Sequence, residues 1–327
     1  MWISSESELI PYHAVDKIGQ GSALVLAPHP DDEVLGCAGA ILRHVAMGDP
    51  IRVIILTDGG GWQPEGVERT AYVARRRQES WEAAIILGYG EPEFWEYRDR
   101  ELRCDERLIQ RLCQAVAGAR WLYAPSPYEL HPDHRALALA TLEVARRLAG
   151  PINLALYEVG SPLPPNRLLN ITDLAERKRQ ALACFASQLA TQAYDRHIEA
   201  LNRFRTYTLP REIEVAEAYW VIEGNEVARI LPAIQATVAA WWRMAAAPMD
   251  NLVGTMGNIT IEDRARELQA QQEAYRAAVT QIDQEWRDRH EAILHSRSWR
   301  LTAPLRAAAR WVRAGCDRLA ELLTRGA

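Results

Sequence analysis

The chain has 327 residues, 48% of them apolar, and a formal charge of −5 from 38 basic and 43 acidic side chains. That length allows one large domain with an extension, or two modest domains, and a sizeable core. The near balance of charge excludes a general attraction to nucleic acid, and no uninterrupted run approaches the roughly 20 apolar residues of a membrane span.

Met1 to Glu8 lack the basic region and long apolar run of a signal peptide. The five cysteines, at 37, 104, 113, 184 and 316, are scattered and form no C-x-x-C pair. They read as small buried hydrophobes in a reducing compartment, which points to a cytoplasmic location.

Residues 23–27, Ala-Leu-Val-Leu-Ala, are a continuous apolar run ended by Pro28, the pattern of a buried parallel strand. Residues 34–47 read as a helix, and 52–57 as a second strand stopped by Asp58-Gly59-Gly60-Gly61. A long helix over 68–87 ends at Gly88. A helix over 105–117, a strand over 120–124, a helix over 134–148 and a strand over 152–158 follow. Residues 173–203 read as two helices, 212–222 as an extended segment returning to the sheet, and 226–246 as a helix. The alternation predicts an α/β fold, a Rossmann-like, mostly parallel sheet with helices on both faces.

A soft boundary falls near Pro248 to Gly257, dividing a domain over 1–250 from a helical extension over 258–327. In the extension Ile261, Ala265, Leu268, Gln272, Tyr275, Val279, Ile282 and Trp286 step by four and three, the spacing of a coiled-coil or hairpin arm. A last helix, 302–323, belongs to a stretch, 296–327, with seven arginines against one aspartate and one glutamate. That face suits peripheral contact with anionic lipid at the inner face of a membrane, or plain solvation, while the arm suits self-association.

The chemistry concentrates in Pro28-His29-Pro30-Asp31-Asp32-Glu33 and His131-Pro132-Asp133-His134, each placed directly after a predicted strand. Ligand sites in open α/β sheets gather at the carboxyl ends of strands, so the two loops are expected to meet. His29 and Asp32 offer nitrogen and oxygen from one loop. Of His131 and His134, one can reach a metal and the other a substrate. Two histidines and one carboxylate leave a position open for water, the pattern of catalytic Zn²⁺, and the same ligand types suit Fe²⁺. Asp31 is then the spare carboxylate that removes the water proton. A protonated His131, kept charged by Asp133, stabilises the oxyanion and supplies the leaving amine with a proton.

These motifs resemble the PIG-L/LmbE-like family of metal-dependent N-acetyl-sugar deacetylases. The resemblance spans roughly residues 22–223 and includes Thr57-Asp58-Gly59, Arg76-Arg77-Gln78-Glu79, Leu87-Gly88 and Glu217-Ala218-Tyr219. It implies His29, Asp32 and His134 as zinc ligands and Asp31 as general base. It further implies His131 as the oxyanion histidine with Asp133 as its partner, and Arg76 as a substrate contact. Two departures are Pro28, where alanine is more usual, and 125–130, which lacks the Gly-rich stretch of the thiol-pathway members.

The expected activity is removal of the N-acetyl group from an amino sugar or glycoconjugate in bacterial glycan assembly. Alternatives are deacylation of a non-sugar amide and a non-catalytic scaffold role. Asp58, Trp62, Arg76, Tyr128 and Glu129 are the candidate substrate contacts, Trp62 as a stacking surface in a Gly-rich loop. The segment Ser296 to Arg306 resembles one that recurs at the ends of bacterial glycosyltransferases and surface-polysaccharide proteins, a setting that would supply a lipid-linked or nucleotide-linked saccharide.

Overall fold

A computed structural model describes residues 5–148, 152–246 and 284. The chain divides into the units Met1–Met244 and Ala245–Ala327. The expected boundary at 248–257, the heptad arm, the arginine-rich helix and the Ser296–Arg306 segment lie outside the described residues, Gln284 excepted.

Among the described residues, seven strands make one sheet: β1 (Ala23–Ala27), β2 (Ile51–Thr57), β3 (Glu93–Tyr97), β4 (Trp121–Pro125), β5 (Asn153–Tyr157), β6 (Arg167–Asn170) and β7 (Ala216–Ile222). Their order is β3-β2-β1-β4-β5-β7-β6. Strands β1 to β5 are parallel, while β7 runs antiparallel to β5 and β6 antiparallel to β7. The helices are α1 (Asp32–Ala46), α2 (Arg69–Leu87), α3 (Glu106–Ala115), α4 (Pro132–Leu148), α5 (Ala175–Ala183), α6 (Ala186–Leu189), α7 (Tyr194–Phe204) and α8 (Val227–Ala246).

The continuous apolar runs have a direct cause: both faces of the sheet are covered. Val25, Ile55, Tyr123 and Tyr157 belong to one apolar cluster, with α1, α2 and α5. Their strand neighbours Leu24, Leu26, Ile54, Leu122 and Leu156 belong to the other, with α3, α4 and α8. Side chains alternate between faces along each strand, so the central runs Ala23–Ala27, 53–56 and 154–157 are apolar throughout.

Strands β1, β2, β4 and β5 agree with expectation. Strands β3 and β6 were not expected, and both take part in the sheet's flanks, where charge replaces the apolar run. In β3, Phe94 lies under Arg77 at 5.1 Å and Trp95 under Arg111 at 4.0 Å. The region 173–203 holds three helices rather than two. The extra break is tertiary: Ser187 donates from its amide (2.8 Å) and hydroxyl (2.5 Å) to Glu79 of α2.

The order places β1 beside β4, where the chain changes direction across the sheet. A crevice opens at such a switch, outside the carboxyl ends of the strands. The two histidine loops leave from those two strand ends.

Helix α1 is kinked at Cys37, whose φ/ψ of −146°/26° is not helical. A kink orphans backbone groups on both sides. The Glu217 carboxylate accepts from the amides of Gly39 (2.8 Å) and Ala40 (3.2 Å), and from Tyr219 Oη (2.6 Å). Lys178 Nζ donates to Leu35 O (2.9 Å) and to Glu217 itself (2.8 Å). One buried ion pair thus caps both halves of the helix that begins with Asp32.

Lys178→Met strands the Glu217 charge and is expected to cost about 3–5 kcal/mol in chemical denaturation. Adding Glu217→Leu should not restore stability, because Leu35, Gly39 and Ala40 lose their partners as well. Full recovery in the double variant would show that the pair does not cap the kink.

Candidate metal centre

The loop after β1 and the start of α4 bring three donor atoms into one triangle. Asp32 Oδ2 lies 3.1 Å from His29 Nδ1 and 3.0 Å from His134 Nε2, and the two nitrogens are 3.2 Å apart. Asp32 is the first residue of α1, and its Oδ2 also accepts the His29 amide at 2.9 Å, which ties both ends of the loop. His134 sits in the first turn of α4. All three side chains are buried.

The far side of each histidine meets a carboxylate. His29 Nε2 is 3.2 Å from Asp133 Oδ2 and 3.2 Å from Asp99 Oδ1. His134 Nδ1 is 3.5 Å from Glu129 Oε2. Those carboxylates are themselves anchored. Asp133 accepts the amides of Arg100 (2.6 Å) and Leu102 (3.2 Å), and Glu129 those of Val159 (2.7 Å) and Gly160 (3.0 Å). A carboxylate behind the imidazole holds the proton on that side and turns the other lone pair inward, the usual support of a metal-binding histidine.

The electrostatics fit a cation in the triangle. Burial opposes charge on either imidazole, yet Asp32 and the Glu129 carboxylate draw His134 up to about 9. Against the same opposition, Asp133, Asp32 and Asp99 hold His29 well above its ordinary value. Burial resists the Asp32 charge as well, and His134 and His29 nonetheless hold that carboxyl far below its usual range. Two imidazolium ions in this contact repel each other. A divalent cation satisfies the same carboxylates with both imidazoles neutral, so the donor set fits Zn²⁺ or Fe²⁺.

His131 also comes close: one ring nitrogen lies within 4.8 Å of donors on His29 and His134. Its Nδ1, however, accepts the Asp133 amide at 3.2 Å, which leaves the proton on Nε2. Burial, then the positive field of His29 and His134, lowers its pKa to about 4. The carboxylate contact expected between Asp133 and His131 is made with His29 instead. The Asp133 carboxylate serves His29, and His131 is a neutral Nε2–H donor facing the cavity, 3.8 Å from Asp99 Oδ1.

Asp31 precedes α1 with φ 123°, a region that side-chain-bearing residues rarely occupy. Val34 and Leu35 donate to its carbonyl at 2.9 and 2.8 Å, and its own amide donates to Glu33 Oε2 at 3.0 Å. Burial pushes its carboxyl up to about 7, against the opposing charge of Arg76. Arg76 is only 4% exposed and donates to Asp31 Oδ2 (3.0 Å), Gly59 O (3.0 Å) and Pro30 O. Its guanidinium fixes the Asp31 loop while it also lines the cavity.

One cavity is lined by His29, Asp31, Asp32, Trp62, Arg76, Asp99, Glu129, His131 and His134, among others. Two expected contacts lie elsewhere. Asp58 pairs with Arg69 at 2.5 Å and accepts the Gly60 amide at 3.0 Å, so it shapes the glycine loop. Tyr128 stacks on Trp220 with ring centroids 6.4 Å apart and lines a separate groove. Glu129 does border the cavity, but its oxygens serve His134 and the 159–160 amides. Asp99 was not anticipated, because it follows β3; once that strand is known, an acid just past its carboxyl end is an expected site residue.

The family model PIG-L, GlcNAc-PI de-N-acetylase, matches residues 24–145. A probable N-acetyl-alpha-D-glucosaminyl L-malate deacetylase 2 of Bacillus anthracis is 28% identical over 188 residues, 52% of this chain and 82% of that protein. The diacetylchitobiose deacetylase of Thermococcus kodakarensis is 27% identical over 208 residues, 57% of this chain and 74% of that one. Among solved structures, the N,N'-diacetylchitobiose deacetylase of Pyrococcus horikoshii aligns with a TM-score of 0.57 and 26% identity, covering 63% of this chain and 85% of that one.

Glu129→Ala is expected to weaken Zn²⁺ binding by about 10–100-fold, as for loss of a group that orients a metal-binding histidine. Competition with a chromogenic chelator measures this. Unchanged zinc affinity, with only substrate affinity lost, would return Glu129 to a substrate-contact role.

Proposed function

From the PIG-L domain over residues 24–145, we propose that this chain is a divalent-metal-dependent deacetylase. It would remove the acetyl group of an N-acetylated amino sugar or glycoconjugate, releasing acetate and a free amine. The observation that carries this reading is the inward-facing triangle of His29 Nδ1, Asp32 Oδ2 and His134 Nε2, with a spare carboxylate, Asp31, on the same cavity. The relatives named above act on N-acetylated glucosaminyl compounds by their names, which favours an amino-sugar amide over an unrelated one.

His29, Asp32 and His134 would hold the metal, with zinc first and ferrous iron second by ligand type. When bound, such an ion acidifies water and polarises an acyl oxygen. Asp31, oriented by Arg76 and Glu33, takes the proton from the attacking water. The neutral His131 donates from Nε2 to the oxygen that gains charge as the acyl carbon becomes tetrahedral. The C–N bond then breaks, and the proton held by Asp31 passes to the departing amine. Water, amide, acetate and amine balance with no further reactant. A bacterial glycan-assembly role remains part of the proposal and draws on the Ser296–Arg306 resemblance alone.

The test is acetate release from a panel of N-acetyl sugars by metal-loaded protein. Asp31→Asn should lower kcat by about 10²–10⁴-fold while metal content, read by elemental analysis, stays near one equivalent. Asp32→Ala and His134→Ala should lose the metal itself. Equal metal loss in all three variants would overturn this division of roles, and no acetate from any sugar would overturn the reading.

A further inference from the structure

Helix α2 carries a buried polar stripe, Tyr72, Arg76 and Glu79, at steps of four and three. Arg76 fixes the Asp31 loop. Glu79 fixes a second segment, the short helix α6. Its carboxylate, held by Arg75 Nε at 3.2 Å, accepts from the Ser187 amide at 2.8 Å and from the Ser187 hydroxyl at 2.5 Å. The next residue, Gln188, is half-buried and lines the cavity over the metal triangle. Its Nε2 donates to Tyr72 Oη at 2.7 Å and to Ser187 Oγ at 3.2 Å. Ser187 and Tyr72 are themselves buried.

These bonds decide which way round the Gln188 amide sits. A carboxylate only accepts. The Ser187 hydroxyl proton therefore goes to Glu79, and toward Gln188 its oxygen can only accept. The atom of Gln188 beside it must then be the nitrogen. Turning the amide over would set its carbonyl oxygen against an oxygen with no proton to offer. Both hydrogens of Nε2 are taken, one by Tyr72 and one by Ser187. Oε1 has no hydrogen-bond partner among the described residues and is the atom left for the cavity. A cavity for a polyhydroxyl ligand needs such groups. Asp58 and Tyr128 lie outside the lining, and the Glu129 oxygens serve His134 and backbone amides.

We propose that Gln188 is a specificity-determining contact, presenting Oε1 as an acceptor to one hydroxyl of the bound amino sugar, and that Glu79 is the positioning residue that sets this polarity through Ser187. The inference rests on the deacetylase reading for the identity of the ligand. A hydroxyl can donate or accept, so the polarity shows only against a group that lacks the proton. A carbonyl oxygen rejects both hydrogen and fluorine in place of the hydroxyl, and fluorine more, because two acceptors repel. An amide N–H in the same place would tolerate fluorine better than hydrogen.

The experiment uses the metal-loaded full chain, with N-acetylglucosamine and its monodeoxy and deoxyfluoro analogues at each hydroxyl as probes and acetate release as the readout. At one position the deoxy analogue should raise KM by about 3–10-fold, and the fluoro analogue by at least as much. The kcat should stay within about twofold, since a contact to a remote hydroxyl binds ground state and transition state alike. Gln188→Leu should raise KM for the parent sugar to the level of that deoxy analogue and erase the difference between them. In Glu79→Gln the new amide donates to Ser187 Oγ, which releases the Ser187 hydroxyl to donate to Gln188 Oε1 and turns Nε2 to the cavity. The fluoro analogue should then bind better than the deoxy one, a reversal that a merely structural Glu79 does not give. Retained metal, read by elemental analysis, shows that each variant is folded. If Glu79→Gln loses metal, Ser187→Ala breaks the same relay and should abolish the extra fluoro penalty.

Equal KM for every deoxy analogue, a penalty that survives Gln188→Leu, or an unchanged fluoro and deoxy order in the folded relay variant would each overturn the proposal. Calorimetric titration of the Asp31→Asn chain with the same sugars reads binding apart from turnover. A hydroxyl-dependent affinity that Gln188→Leu removes, without acetate release by the wild type, ends the deacetylase reading and keeps the contact. Acetate release with no Gln188-dependent discrimination does the reverse, and neither binding nor release of any of these sugars overturns both.

Discussion

Two imidazole nitrogens and a carboxylate oxygen share a space in which each lies about 3 Å from the other two. Lone pairs that close repel unless something positive lies among them. A proton can serve one pair at a time, and protonating both rings sets two cations in contact. Asp133 and Glu129 flank the outer sides of the rings, and the backbone amides of five other residues hold those two acids. The support of the two rings is therefore built outward into the loops after β3 and β5.

The sheet supplies the coarse alignment for this. Because β4 lies next to β1, the His29 and His134 loops open into the same crevice although 105 residues separate them. Finer alignment comes from α1. Its first residues belong to the site and its later turns to the core, and the kink at Cys37 separates those tasks. A straight helix would need no Glu217 or Lys178. With the kink, the exposed amides and carbonyl need partners in a place closed to water, and an ion pair whose members each bind backbone meets that need. The Glu217-Ala218-Tyr219 motif belongs to this support and lies on the sheet, away from the cavity lining.

Strands β1, β2, β4 and β5, and the meeting of His29, Asp32 and His134 at the ends of β1 and β4, were legible because each signal was local. Ala23–Ala27 and Ile51–Thr57 announce buried strands by composition, and the histidine motifs stand directly at strand ends. What stayed hidden depended on pairing across long distances. Strand β3 is short and mixes glutamates with aromatics, so Asp99 behind it carried no signal. Glu129 read as a polar group at the entrance, since nothing in Tyr128-Glu129-Leu130 tells that the 159–160 amides fold over it. Arg76 is similar: one helical arginine looks like another until Gly59, Pro30 and Asp31 are seen to converge on it. The assignment of Asp133 to His29 rather than to its near neighbour His131 needs the first helical turn of α4 in three dimensions.

The adjacent aspartates remain the sharpest local problem, since Asp32 turns to the two histidines while Asp31 turns to Arg76. In ordinary extended or helical backbone, consecutive side chains diverge by an angle fixed by that backbone, and both would be committed together. Asp31 escapes through its positive φ, at a strain cost of order 1–3 kcal/mol. The carbonyl of Asp31 starts α1, its amide is held by Glu33 and its carboxylate by Arg76. Those bonds offset the strain, and they leave Asp32 free to turn into the triangle as the first residue of the helix. Glycine would adopt the same φ without strain but would bring no carboxylate to meet Arg76 at the cavity.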